Sequence, residues 1–120
     1  MRELTSHKVN GLNDALTILV NDAPGHGNAC HIYTIIRTED DKPLNAIAFQ
    51  NGPIQETGVN GISQEALLAI IEDRLIGFQT GEYATRENAI ALNHVQTAMM
   101  WLQKRTRDRI ARGVEGSNQK

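Results

Sequence analysis

Disulfide chemistry is the first thing this sequence lacks. Cys30 is its single cysteine, so no internal disulfide can form. Aromatic residues are scarce, at 4% of the chain, with one tryptophan. No stretch approaches the ~20 consecutive apolar residues of a membrane-spanning helix. The opening MRELTSHKVN contains no apolar signal core, so a soluble, cytoplasmic protein with no membrane partner is expected. The formal net charge of -2 argues against duplex nucleic acid as a partner, because that binding normally needs a basic surface.

Recognisable catalytic and metal-binding patterns are missing as well. The four histidines, His7, His26, His31 and His94, are scattered. His26 and His31 stand five apart across a turn-rich stretch, a poor zinc signature, so no metal is expected. His94 falls on a helical stretch, where a hydrogen-bonded structural role is the simpler reading. Cys30 lies in a strand-like stretch and reads as a small buried hydrophobe. Glu72 and Asp73 precede Arg74 on a helical stretch, where a salt-bridged face is the default. The glycines of residues 52–61 match neither the dinucleotide-binding fingerprint nor a phosphate-binding loop followed by Lys and Ser or Thr. No Ser-His-Asp arrangement is legible. The expectation is a binding protein without a cofactor, not an enzyme.

What is present divides the chain by pattern. Apolar residues make up 40% of the 120, enough for a folded core, and the size favours stabilisation by assembly. Residues 15–20 read as a short apolar strand, and the PGHGN string after them as turn chemistry. Residues 30–37 alternate Cys30, Ile32, Thr34 and Ile36 against His31, Tyr33, Ile35 and Arg37, the clearest strand in the chain. A polar turn ending in Lys42-Pro43 leads to a third strand over 44–50. Three strands with short connections predict an antiparallel meander. The expected class is therefore α+β: a small N-terminal antiparallel sheet over 1–50, a glycine-rich connector over 51–62, a helical hairpin over 63–113 and a polar tail over 114–120. Residues 1–13 carry little pattern beyond an Asn10-Gly11 turn signal, and the tail is expected to fray.

In the hairpin, Ser63 is positioned to cap a first helix. Leu67, Leu68, Ile71, Leu75 and Phe78 then form its apolar stripe. Thr85 is positioned to cap a second helix carrying Ala91, Leu92, Val95, Ala98, Met99 and Leu102, with Gly113 as its stop. The second helix is expected to outlast the first, and its overhang needs cover from another chain. That overhang is basic, with Lys104, Arg105, Arg107, Arg109 and Arg112 inside nine residues.

Geometry then allows two readings of the helix ends. Asn88 and Arg105 are 17 residues apart, roughly 25 Å on a straight helix. One small ligand cannot reach both on one chain. Two hairpins packed antiparallel about a two-fold axis would bring Arg105 and Arg109 of one chain beside Phe78 and Asn88 of the other. A ring, an amide and two guanidinium forks suit a purine and a pyrophosphate. The plainer reading makes Phe78 part of the hairpin core and the arginines a solvated helix end. Trp101, four residues before Arg105, has the same two roles open, support for that guanidinium or interface core.

The strings FQNGPIQETGVNG and EALLAIIEDRLIGFQTGEYATRENAIALNHVQTAMMWLQKRTRDRIARGVEG closely resemble the hairpin domain shared by two kinds of phage anti-defence sponge, over about residues 49–116. One kind, anti-CBASS, binds cyclic dinucleotides. The other, the first type of Thoeris anti-defence protein, binds glyco-cyclic ADP-ribose, and the N-terminal strands favour it. The resemblance implies a stoichiometric trap that holds an immune signal without cleaving it, in the cytoplasm of an infected bacterium. It implies stacking by Phe78, a hydrogen bond from Asn88, and pyrophosphate contacts from Arg105 and Arg109 of a neighbouring chain. It further implies dimers assembling to hexamers. A second set of pockets for cyclic di- or trinucleotides is expected around Gly58, Asn60 and Gly61. The alternative is a sponge for cyclic oligonucleotides alone.

Overall fold

The computed structural model describes residues 1–119 and is α+β, a four-stranded antiparallel sheet followed by long helices. The chain forms two compact units, Met1–Ile62 and Ser63–Lys120.

The first unit is a meander in the order β1-β2-β3-β4. Strand β1 is Arg2–Leu4, β2 is Leu16–Val20, β3 is Ile32–Arg37 and β4 is Pro43–Ala48. The last three are the expected strands, with their ends shifted by one or two residues; β4 begins one residue earlier than expected, at Pro43. β1 was not anticipated. It pairs Arg2 with Val20 and Leu4 with Ile18, yet three residues reading Arg-Glu-Leu are too short and too polar to display a period of two. A four-residue helix, α1 (Gly11–Asp14), sits where a turn was expected, with the Asn10 side chain accepting from Asn13 N.

Local polar bonds fix the strand ends. The Asp22 carboxylate accepts the amides of His31 at 2.8 Å and Ile32 at 3.1 Å, anchoring the entry to β3 beneath the PGHGN loop. Burial pushes this carboxyl up, but the His31 and Ile32 amides and the nearby His31 ring outweigh it and hold it below its ordinary value. Val20, Cys30 and Pro53 are buried in this unit, as are the polar Thr17 and His31. Tyr33 and Phe49 meet edge to face at 5.7 Å. At the β3–β4 turn, the Arg37 guanidinium grips Asp40 through two bonds and holds its carboxyl down at about 2.

The segment over 51–62, expected as a connector, belongs to this first unit and is folded. Short helix α2 (Ile54–Thr57) ends on Gly58, whose φ of 70° and ψ of -173° suit only glycine. Asn60 grips the backbone of Asn51 at both ends, Oδ1 accepting from Asn51 N and Nδ2 donating to Asn51 O. Gln50 Nε2 donates to the carbonyls of Gly52 and Gly58. Phe49 and Ile62 then form a parallel bridge. A Cβ on Gly61 would lie 2.5 Å from Phe49 C and 2.7 Å from Ala48 O, so the bridge requires glycine there.

The second unit is the helical hairpin. Helix α3 is Gln64–Gln79 and α4 is Arg86–Ala111. Ser63 and Thr85 cap them as expected, accepting from Ala66 N and Asn88 N. The Gln79 amide closes the turn by bonding both N and O of Thr85. On α4 the covered positions include Asn88, Leu92, Val95, Met99, Leu102, Thr106 and Arg109, stepping alternately by four and three. On α3 they include Glu65, Leu68, Glu72, Leu75 and Gln79 in the same steps. This is the seam of two antiparallel helices. Outside it Ile70, Ile71, Ile76, Met100, Trp101 and Ile110 are exposed.

Two outcomes test this architecture. Gly61→Ala should destabilise the fold by roughly 1–3 kcal/mol, because the obstructing atoms are backbone and cannot swing away; chemical denaturation measures it, and an unchanged midpoint would refute the close approach. The depressed Asp22 carboxyl contributes stability that is present above the ordinary carboxylate pKa and lost as pH falls through its lower folded value. The urea midpoint of the native chain should therefore fall more steeply than that of Asp22→Asn as pH drops below the ordinary carboxylate value of about 4.

Candidate functional site

The chemistry gathers at the free end of α4. A helix C-terminus carries partial negative charge from its unpaired carbonyls, which favours cations nearby. This sequence places Lys104, Arg105, Arg109 and Arg112 there, on steps that bring them around one surface groove of about 440 Å³, completed by Trp101 and Asp108. Trp101 is 61% exposed and forms an apolar wall. Lys104 is committed to Asp108 at 2.7 Å. Among the described residues, Arg105 and Arg112 make no ion pair.

Arg109 differs from its neighbours. It was expected at a solvated or ligand-facing helix end, but it is 8% exposed, the one buried residue of α4. Residues 114–119 of the tail that was expected to fray instead fold back over it, while Lys120 lies outside the described residues. Gly113 (φ 74°) reverses the chain, and Val114 N donates to Arg109 O at 3.0 Å. Glu115 Oε2 accepts from Arg109 Nε at 3.0 Å, and the carbonyls of Val114 and Ser117 accept from Nη2. The Gln119 carbonyl accepts from Nη1. The sequence signal for this was available in the Arg-Gly-Val-Glu-Gly string: a reversing glycine just past the helix puts an acid within reach of an arginine one turn back.

Phe78 and Asn88 lie at the opposite end of the hairpin, on either side of the turn. Phe78 is 39% exposed in the last turn of α3, and the Arg74 guanidinium carbon stands 5.4 Å from its ring centroid. Asn88 is half-buried in the first turn of α4. Within one chain the ring and amide are thus separated from the arginines by the length of α4 between residues 88 and 105, roughly 25 Å. Arg105 and Arg109 are brought together, Phe78 and Asn88 share the other end, and the two pairs do not meet in a single chain. The only sequence signal for Arg74 at this end is its four-residue spacing from Phe78, which makes the contact natural.

Between the ends, Gln64, Leu67, Ile71, Ala98 and Trp101 line a largely apolar groove of about 570 Å³ along one face of the helix pair. Gly58, Asn60 and Gly61 each carry structural work in the first unit. Gly58 terminates α2, Asn60 spends its side chain on Asn51, and Gly61 admits Phe49. Among the described residues, no three His, Cys, Asp or Glu side chains stand close enough to hold a metal ion. Among the described residues, no helix is long and apolar enough to cross a membrane.

Comparison with known proteins bears on the hairpin directly. The family model described as "Acb2/Tad1, hairpin domain" matches residues 41–107. That span includes Phe78, Asn88 and Arg105 and stops two residues short of Arg109. The chain is also 47% identical over 77 residues to "Thoeris anti-defense 1" of Bacillus phage SBSphiJ7, a stretch covering 64% of this chain and 54% of the relative. The chain therefore aligns with about half the length of that curated relative.

Proposed function

The chain belongs to the Acb2/Tad1 hairpin-domain family, and from that premise we propose that it is a phage anti-defence protein directed at Thoeris immunity. In this reading it acts as a sponge in the cytoplasm of the infected cell, binding glyco-cyclic ADP-ribose and leaving it intact. The kinship to the Thoeris anti-defence relative supports the target. The ligand class rests on one structural observation: a stacking ring and an amide at one end of the hairpin, and arginines grouped around a groove at the other. Antiparallel pairing of two chains joins these halves twice, once at each end of the pair.

Apolar side chains left exposed on the helix pair supply a reason for such pairing, since Ile70, Ile71 and Trp101 are exposed on the hairpin. Further assembly to a hexamer, with cyclic di- or trinucleotides in separate pockets, extends the same reading. The hydrogen-bonded loop over 51–61 constrains that extension. A ligand there must use backbone groups or the loop's outer face, because the Asn60 side chain is already engaged.

A sponge must bind below signalling concentrations, so nanomolar dissociation, roughly -12 kcal/mol, is expected for glyco-cyclic ADP-ribose in calorimetric titration. Arg105→Lys should weaken binding about tenfold or more, since a planar two-pronged fork is replaced by a point charge. Ligand recovered by denaturing the complex should be chemically unchanged; a cleaved product would make the protein an enzyme. Heat from a cyclic trinucleotide but none from glyco-cyclic ADP-ribose would move the assignment to a sponge for cyclic oligonucleotides.

A further inference from the structure

A guanidinium has five N–H donors, and its usefulness to a pyrophosphate lies in presenting two of them side by side. Arg109 has committed four. Nε is given to the Glu115 carboxylate, both Nη2 protons to the carbonyls of Val114 and Ser117, and one Nη1 proton to the carbonyl of Gln119. Each paired edge of the group therefore has at least one donor taken, and one Nη1 proton remains among the described residues.

The partners are themselves tied down. Val114 O also accepts from Ser117 N at 3.1 Å and from Ser117 Oγ, while Ser117 Oγ accepts from Gln119 N at 3.2 Å. Gly113 and Gly116, with φ of 74° and 80°, supply the two reversals that wrap the chain round. Such a closed set of bonds fixes the plane of a side chain that would otherwise sample many rotamers. Arg105, one helical turn earlier on the same groove, has no such restraint among the described residues.

We propose that Glu115 is a positioning residue, the charged member of a tail clamp that holds Arg109 as a fixed, single-pronged donor at the groove. Arg105 is then the mobile two-pronged fork, and the two arginines have unequal duties. This rests on the anion-binding reading of the groove given above. It adds that the segment after the helix, beyond the span matched by the family model, is part of the binding site.

The full chain and its Glu115→Ala, Glu115→Gln and Arg105→Ala variants, titrated with glyco-cyclic ADP-ribose, test this. Glu115→Ala should weaken binding about tenfold, whereas Glu115→Gln, which keeps an acceptor for Nε, should return to within about threefold of the native chain. A slowly exchanging Arg109 Nε–H resonance should be present in the native chain and in Glu115→Gln without ligand, and absent in Glu115→Ala.

Outcomes separate the two claims. If Arg105→Ala loses binding while Glu115→Ala keeps it, the positioning role is overturned and the groove reading stands. Tighter binding in both Glu115 variants would overturn it as well, by showing the tail to be a competitor for Arg109. A native chain that binds nothing, or an Arg105→Ala variant that binds as well as the native chain, overturns the groove reading and the positioning role with it.

Discussion

Two helices packed along one seam can cover only that seam, and this constraint shapes the C-terminal half of the protein. Leu68 and Leu75 on α3, with Leu92, Val95, Met99 and Leu102 on α4, use the available contact. Off that line Ile70, Ile71, Ile76, Met100, Trp101 and Ile110 stay exposed. At about 25 cal/mol per Å² of apolar surface, leaving several such side chains uncovered forgoes a large share of the hydrophobic stabilisation of a unit this small. The same surplus that makes a lone hairpin wasteful is what a second hairpin would cover. In the proposed sponge, stability and ligand recognition then draw on one interface.

The unequal lengths of the helices decide where charge can go. α3 has 16 residues and α4 has 26, so α3 is too short to accompany α4 over its full length. Arginine tolerates the last turns of α4 because its stem covers apolar surface while its head meets the negative end of the helix. The tail then performs the covering that a longer α3 would have done, and it does so with polar bonds to Arg109 rather than with apolar packing. The result is a basic groove with one buried cation, Arg109, and others that stay exposed.

Much of this was legible in the sequence, for identifiable reasons. Long periodic stretches declare themselves, and the hairpin helices with their Ser63 and Thr85 caps follow from spacing and cap chemistry alone. The alternation around Ile32 to Arg37 likewise announces β3. β1 is different: its three residues owe their conformation to pairing with β2, a contact that no local pattern records. The Gln79 amide bridging Thr85 belongs to the same class, since any glutamine near a turn looks alike until the backbone places its partners. Site residues followed the same division. The grouping of Arg105 and Arg109 follows from their four-residue spacing, whereas the burial of Arg109 depends on a reversal of the chain beyond the helix.

The glycine-rich loop shows how a specific motif can be explained without a ligand. In the string GPIQETGVNG, Gly58 is required by its backbone angles and Gly61 by the approach of Phe49. Asn60 is required because its amide matches both the N–H and the C=O of Asn51, a pairing that an aspartate could only half make. Each unusual residue therefore answers a local demand of the fold, and the density of the motif reflects how many such demands meet in ten residues. The arginines of α4 stand in contrast. Nothing in the packing of the hairpin asks for Arg105 or Arg112, which form no ion pair among the described residues and cover little of the seam. A charged side chain that the fold can do without, held beside an aromatic wall in a groove, is where a bound anion has the most to gain.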